Sequence, residues 1–182
     1  SGHAHHRRHR RRARDGDQAV GRIQARMRLD VQRQAGLVER RVVDDLRPPA
    51  LDELGLVDAL RQRADQLSWR SDGVSVRVRV DVAGEIPPLP AAVEVAAYRI
   101  ATEALTNIAR HSDATAAVVR LHCADGLQLS VTDDGPPDGP WRPGVGMQAM
   151  RERAVELGGT FEAGPTPDGG SVCATIPMGA SR

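Results

Sequence analysis

The chain has 182 residues, of which 40% are hydrophobic, which is enough for one domain of ordinary size with an appendage. Its formal net charge is only +1, so the overall charge gives no sign of a polyanion partner. Aromatic residues make up just 2%, which argues against the stacking platforms that bind single-stranded nucleic acids. We therefore predict an aliphatic core and no nucleic-acid partner.

Residues 1–16 form a tract rich in arginine and histidine. Like charges repel and the tract offers no apolar surface to bury, which favours a disordered, solvated tail. Two other interpretations stay open: a basic arm for nucleic acid or acidic lipid, and the remnant of a disrupted helix.

Residues 17–46 have a helical period. An apolar stripe this long needs a partner, either the chain's own domain or a second subunit. The prolines at 48 and 49 predict its end. The stripe consists of Val20, Ile23, Met27, Val31, Leu37, Val38, Val42 and Leu46.

The next predicted elements are a helix, a strand and a loop. Asp52 is expected to cap a helix from about Glu53 to Leu67. Residues 74–82 alternate valine with polar side chains, which is typical of a half-buried strand. Residues 84–90 then predict a rigid loop.

A helix predicted over residues 91–110 carries the first group of candidate site residues. Glu103 and Asn107 are four residues apart and therefore share one helical face. Carboxylate and carboxamide oxygens suit Mg²⁺, which takes oxygen ligands and keeps several waters beside nucleotide phosphates.

Strands predicted over residues 116–123 and 126–132 lead to the second group, Asp133-Asp134-Gly135. The carboxylate of Asp133, at a strand end, is suited to accept a hydrogen bond from an exocyclic amine such as that of adenine. Gly135 lets the backbone turn away and approach a ligand closely.

The third group, Gly144-Val145-Gly146-Met147, opens a helix predicted over residues 147–157. The free N–H groups at a helix N-terminus favour phosphate. Residues 136–143 are rich in proline and glycine and predict a short lid. Strands at 160–163 and 171–176 around a turn at 165–170 complete an α+β fold, a two-layer α/β sandwich with a mixed sheet.

Each group alone has a plainer interpretation. Glu103 and Asn107 fit a solvated helix surface, Asp133-Asp134-Gly135 fits an ordinary turn, and the glycines at 144 and 146 fit a flexible connection. Their joint order and spacing favour a pocket for ATP and Mg²⁺.

The three groups resemble the N, G1 and G2 boxes of the ATP-binding domain of sensor histidine kinases, whose superfamily includes gyrase, Hsp90 and MutL. The resemblance implies a Bergerat-type fold over about residues 48–182. Leu46–Leu56 is similar to the segment that joins the dimerisation helices to this domain in the NarL-partnered and DesK-like subfamily. Residues 17–47 are then interpreted as a remnant of a dimerisation helix.

The resemblance also implies roles for the site residues. Glu103 would orient the γ-phosphate or polarise the attacking group, Asn107 would ligate Mg²⁺, and Asp133 would bind adenine. Arg110 and His111 would lie near the phosphates. The remaining nucleotide contacts would come from Gly135, Gly144, Gly146 and Met147. One departure is Pro137, which stands where the G1 box often has a second glycine.

The resemblance implies a response-regulator partner, with a helix-turn-helix output domain, and a homodimer or a second kinase chain. No apolar run approaches the ~20 residues that cross a bilayer. Cys123 and Cys173 are expected to be buried reduced thiols. A cytoplasmic location follows as an expectation, including the cytoplasmic part of a membrane-bound sensor.

The phosphoacceptor histidine of the family has no counterpart in its usual context. Residues 10–15 look like the start of the Arg-rich acceptor box, but residues 16–18 are Gly-Asp-Gln. The segment up to Leu46 is also too short for a two-helix hairpin. We therefore expect phosphoryl transfer to a histidine supplied in trans. A degenerate module that binds ATP and dimerises without catalysis is the alternative, and a basic-tailed nucleic-acid binder is a third.

Overall fold

The computed structural model describes residues 47–68, 76–136 and 144–179. Pro48–Arg182 is one compact unit and is described by itself. Its helices are α1 (Pro49–Ser68), α2 (Ala91–His111) and α3 (Val145–Glu156), and its strands are β1 (Arg77–Ala83), β2 (Ala116–Cys123), β3 (Leu127–Asp133), β4 (Thr160–Thr166) and β5 (Gly169–Ile176).

The five strands form one mixed sheet in the order β1-β2-β3-β5-β4. β1 and β2 are parallel and are joined through α2, because parallel neighbours need a long crossover connection. The other three pairings are antiparallel. This arrangement confirms the predicted α+β fold with a mixed sheet.

The core lies between the helices and one face of the sheet. In β2, Val119 and Leu121 are fully buried whereas Arg120 and His122 are exposed, as alternation along a strand requires. α2 covers this face with small and aliphatic side chains. The buried residues of α2 are Val93, Ala96, Ala97, Ile100, Ala101, Ala104, Leu105 and Ile108.

α1 begins earlier than the sequence pattern predicts. It starts at Pro49, where Leu51 N–H donates to the Pro48 carbonyl at 2.9 Å, and proline fits the first turn because it lacks an N–H. Asp52 therefore lies within the first turn, and the prediction that it caps the helix is wrong. Gly55 interrupts the helix with φ 70° and ψ 175°.

The terminal hairpin is longer than predicted. β4 extends to Thr166 and β5 begins at Gly169, so residues 167–168 alone make the turn and the predicted turn over 165–170 is wrong. Pro165 pairs with Gly170 within the ladder. A proline is tolerated there because β4 is an edge strand.

β2 matches its predicted bounds, α2 is one residue longer and β3 is displaced by one residue, whereas β1 starts three residues later and α3 two residues earlier than predicted. Cys173 is exposed and Cys123 half-buried, so the expectation of two buried thiols is wrong.

Within the described ranges no helix is long and apolar enough to span a bilayer. The predicted tail at 1–16, the helix at 17–46 and most of the lid at 136–143 lie outside the described residues.

Candidate functional site

α2 carries the residues expected to contact magnesium. Glu103 and Asn107 are half-buried and lie one helical turn apart. Among the residues that the structure describes, neither side chain is held by a hydrogen bond or ion pair, so their oxygens remain available to a ligand. Arg110 and His111 are exposed at the last turn of the same helix.

The first turn of α3 lies directly against the Glu103 side chain. A methyl group added at Gly146 would overlap Glu103 Oε1 and lie 3.2 Å from its carboxyl carbon. No described residue lies within 4 Å of a methyl group added at Gly144, and Met147 packs on the core. The structure thus brings the second glycine of Gly144-Val145-Gly146 next to the carboxylate of α2.

The N-terminus of α3 leaves backbone donors without an intrahelical acceptor. Gln148 N–H donates to the Gly144 carbonyl at 3.2 Å, so the N–H groups of the preceding turn have no partner of this kind. No side chain caps the helix within the described ranges. Such an end favours an anion.

Asp133 has one carboxylate oxygen fixed by two donors. Its Oδ1 accepts the Gly135 N–H and the Ser112 hydroxyl, each at 3.0 Å. Its Oδ2 lies beside Gly170, where a methyl group would come within 2.5 Å of it. The second oxygen is therefore next to a position that only glycine leaves unfilled.

Asp134 has a different set of contacts, on the loop that enters β2. Its Oδ1 accepts the Thr115 and Ala116 N–H groups at 2.8 Å each, and its Oδ2 accepts the Thr115 hydroxyl at 2.7 Å. The hydrogen bond from Ala116, followed by that from Thr115, lowers the pKa of Asp134 below its ordinary value of 3.8. Asp134 fastens the start of β2 to the end of β3.

Sequence reasoning missed three residues beside Asp133. Ser112 directly follows the predicted first group, but a serine after a helix has many ordinary uses. Gly169 and Gly170 were placed in a turn, although both lie against Asp133. The adjacent glycine pair was the available signal, but its partner is more than thirty residues away in the sequence.

The chemistry of these groups fits a magnesium nucleotide. The described part of the chain holds no cluster of three or more His, Cys, Asp or Glu side chains, so it offers no protein cage for a metal. Mg²⁺ needs no such cage, because one or two oxygen ligands together with phosphates and waters suffice. The glycines at 146 and 170 keep Glu103 and Asp133 uncovered.

Residues 92–179 match a family described as histidine kinase-, DNA gyrase B- and HSP90-like ATPases. The chain is also 33% identical over 150 residues to the sensor histidine kinase MctS of Rhizobium johnstonii. Residues 92–179 are thus similar to the ATP-binding domain of histidine kinases.

A second relative supports this ATP-binding domain: the sensor histidine kinase NarS of Mycobacterium tuberculosis is 30% identical over 171 residues. The alignments cover 79% and 90% of this chain but only 32% of MctS and 38% of NarS. The chain therefore spans well under half the length of these relatives.

Among solved structures, the histidine kinase domain of the Erythrobacter litoralis EL346 blue-light activated histidine kinase is similar with a TM-score of 0.50. The identity is 24%, and the match covers 68% of this chain and 61% of that one. This similarity concerns the fold alone.

Proposed function

We propose that this chain is the catalytic part of a two-component sensor histidine kinase, which transfers the γ-phosphate of ATP to a histidine for relay to a response regulator. One observation carries the proposal: the Asp133 carboxylate is fixed through one oxygen by Ser112 and Gly135 and leaves the other oxygen beside Gly170. A purine amine is a matching donor for that oxygen.

At the adenine end, Asp133 Oδ2 accepts the hydrogen bond from the exocyclic amine. Gly135 and Gly170 are needed because side chains there would collide with Ser112 and with Asp133, respectively. The same carboxylate disfavours guanine, whose 6-oxo group is an acceptor and cannot donate a hydrogen bond to Asp133 Oδ2.

At the phosphate end, Asn107 contributes its amide oxygen to a magnesium site. A bound Mg²⁺ supplies positive charge against the phosphate oxygens. Glu103 orients the γ-phosphate or polarises the attacking imidazole. The N–H groups from Gly144 to Met147 cradle the phosphates, and Arg110 and His111 lie near them.

In the reaction, an imidazole nitrogen of the acceptor histidine forms a bond to the γ-phosphorus, and the bond from that phosphorus to the bridging oxygen of ADP breaks. Such transfer depends mainly on positioning and on stabilising charge. Glu103 would hold the attacking side in place. The acceptor would be supplied in trans, by a dimerisation hairpin that carries its histidine.

The segment Leu46–Leu56 supports a place in the NarL-partnered and DesK-like subfamily. A response regulator with a helix-turn-helix output domain would then receive the phosphate. We propose that the kinase acts as a homodimer or together with a second kinase chain, in the cytoplasm. The 33% identity to MctS and the 30% identity to NarS support the kinase assignment.

The test is incubation with [γ-³²P]ATP and Mg²⁺, with and without a dimerisation hairpin that bears its histidine. We expect acid-labile, alkali-stable label on the hairpin and negligible label on the chain alone. A hairpin with its histidine changed to alanine is the matched control. Tight ATP binding without label on any hairpin would favour a degenerate module. Stoichiometric label on His3, His5, His6 or His9 would show that the acceptor is within the chain.

A further inference from the structure

Ser112 connects the helix that carries Glu103 and Asn107 to the adenine-facing carboxylate. Its backbone N–H donates to the Ile108 carbonyl at 3.0 Å and so ends α2. Its hydroxyl is 3.0 Å from Asp133 Oδ1. One residue thus links the C-terminus of α2 to the carboxylate proposed to bind adenine.

The direction of the hydroxyl's hydrogen bond follows from its other contact. Ser112 Oγ accepts the Ala114 N–H at 3.1 Å, so that lone pair is engaged and the single hydroxyl hydrogen is free to donate. The carboxylate oxygen of Asp133 is an acceptor. The hydroxyl therefore donates to Asp133 and does not accept from it.

This second donor fixes the plane of the carboxylate. A carboxylate rotates easily about its last torsion, so the Gly135 N–H alone would hold Oδ1 without fixing where Oδ2 lies. With Ser112 donating as well, Oδ1 is held from two sides. Oδ2 then stays beside Gly170.

Resting on the proposed function, we propose that Ser112 is the positioning residue that sets the preference for a 6-amino purine, by directing Asp133 Oδ2 at the exocyclic amine. Ser112 itself does not touch the base. Its loss would reduce the gain in affinity from the amine and leave binding through the phosphates intact.

A purely structural role makes a different prediction. The Ser112–Ala114 contact also stabilises the loop between α2 and β2, and a loosened loop would weaken binding of every nucleotide equally. Selectivity between nucleotides separates the two roles. Inosine triphosphate is the suitable probe, since it keeps the phosphates and sugar of ATP but has an oxo group in place of the 6-amine.

The experiment measures the affinities of ATP and inosine triphosphate, with Mg²⁺, for wild type, Ser112→Ala, Ser112→Thr and Thr115→Val. Ser112→Thr keeps the hydroxyl, and the extended backbone at this position (φ −113°, ψ 142°) suits a β-branched residue. Thr115→Val is the matched control, because it removes a neighbouring hydroxyl that bonds Asp134 and not Asp133.

We expect Ser112→Ala to weaken ATP binding about tenfold, which is the effect of losing a hydrogen bond to a charged group. The affinity for inosine triphosphate should change by less than about twofold. Ser112→Thr should retain the wild-type ratio of ATP affinity to inosine triphosphate affinity, and so should Thr115→Val. If Ser112→Ala does not fold, Ser112→Cys, whose thiol is a weaker donor, is judged by the same ratio.

If Ser112→Ala leaves the ratio of ATP affinity to inosine triphosphate affinity unchanged, this inference is overturned, even where both affinities fall. The proposed function still stands in that case, provided that wild type prefers ATP. A wild type that binds both nucleotides equally, or neither, would overturn the adenine assignment and the inference with it. The two failures are therefore distinguishable in one set of titrations.

Discussion

Asp133 and Asp134 are adjacent in the sequence but make contacts of different kinds. Asp134 uses both oxygens to hold Thr115 and Ala116, whereas Asp133 uses one oxygen for Ser112 and Gly135. The sequence suggested Asp133 as the ligand-binding carboxylate because it ends the strand pattern. It could not reveal that Asp134 is structural, since that depends on donors eighteen and nineteen residues away.

Asp133→Asn should strongly impair ATP binding. The two donors at Oδ1 will retain the amide oxygen there, so the amide nitrogen takes the place of Oδ2 and presents a donor to the adenine amine. We expect a loss of at least about tenfold in ATP affinity, with the fold preserved. Calorimetric titration measures it, and circular dichroism checks the fold. An affinity equal to wild type would show that Asp133 does not contact the base.

Asn107→Ala should weaken ATP binding only when magnesium is present. The amide oxygen is proposed to ligate the metal, so its loss should matter only when the metal is bound. We expect a loss of about tenfold in Mg²⁺, in the range for losing a group that supports a metal, and little change in EDTA. Thr106→Ala is the matched control, because Thr106 is the preceding residue of α2 and its hydroxyl bonds the Thr102 carbonyl. Equal losses in both buffers would contradict the ligand role.

At the scale of elements, the β4–β5 hairpin closes against the end of β3. Gly169 has φ +147° and lies so close to the backbone of Asp133 that an added methyl group would overlap the Asp133 carbonyl oxygen. Gly164, in the facing strand, has open space around it. The start of β5 therefore depends on glycine for both its backbone conformation and its packing.

Gly169→Ala should destabilise the domain by roughly 1–3 kcal/mol, because the backbone is strained and Asp133 must move. Gly164→Ala on the same hairpin should change the free energy of unfolding by less than about 1 kcal/mol, since it reduces only the entropy of the unfolded chain. Urea unfolding of the two variants measures both values. Equal stability of the pair would show that the close approach at Gly169 is not present in solution.

The Asp134 contacts should give the stability a pH dependence. The pKa of Asp134 is lowered in the folded state, so its contribution is present above the unfolded value near 3.8 and is lost as the pH falls through the folded value. The difference in unfolding free energy between wild type and Asp134→Asn should therefore be largest near neutrality and shrink below about pH 4. Urea titrations across this range test it, and a difference that grows towards acid would contradict the assignment.

The regular elements were largely predictable, and the junctions were not. Alternation fixed the bounds of β2, and the apolar period fixed those of α2. The N-terminus of α1 was mispredicted because Pro49, which the sequence pattern suggests as a helix stop, starts α1. Pro165 and the glycine pair suggested a wide turn, but an edge strand accommodates proline. Such choices depend on neighbours that a local pattern does not contain.

For the whole molecule, the proposed site draws its residues from separate elements of the fold. Glu103 and Asn107 belong to the crossover helix, Asp133 ends β3, Gly146 opens α3 and Gly170 lies in β5. The order and spacing of the motifs predicted that all of these residues except Gly170 would converge. The part played by Gly170 required the antiparallel pairing of β3 with β5.

We propose that this domain binds Mg–ATP through a pocket that recognises adenine. The most direct test is equilibrium titration of the protein with ATP and with GTP, each in Mg²⁺ and in EDTA. We predict that ATP binds more tightly than GTP by about tenfold or more, because the 6-oxo group of guanine cannot donate to Asp133, and that EDTA weakens ATP binding. Equal affinities for ATP and GTP, or ATP affinity that is the same without Mg²⁺, would contradict this proposal.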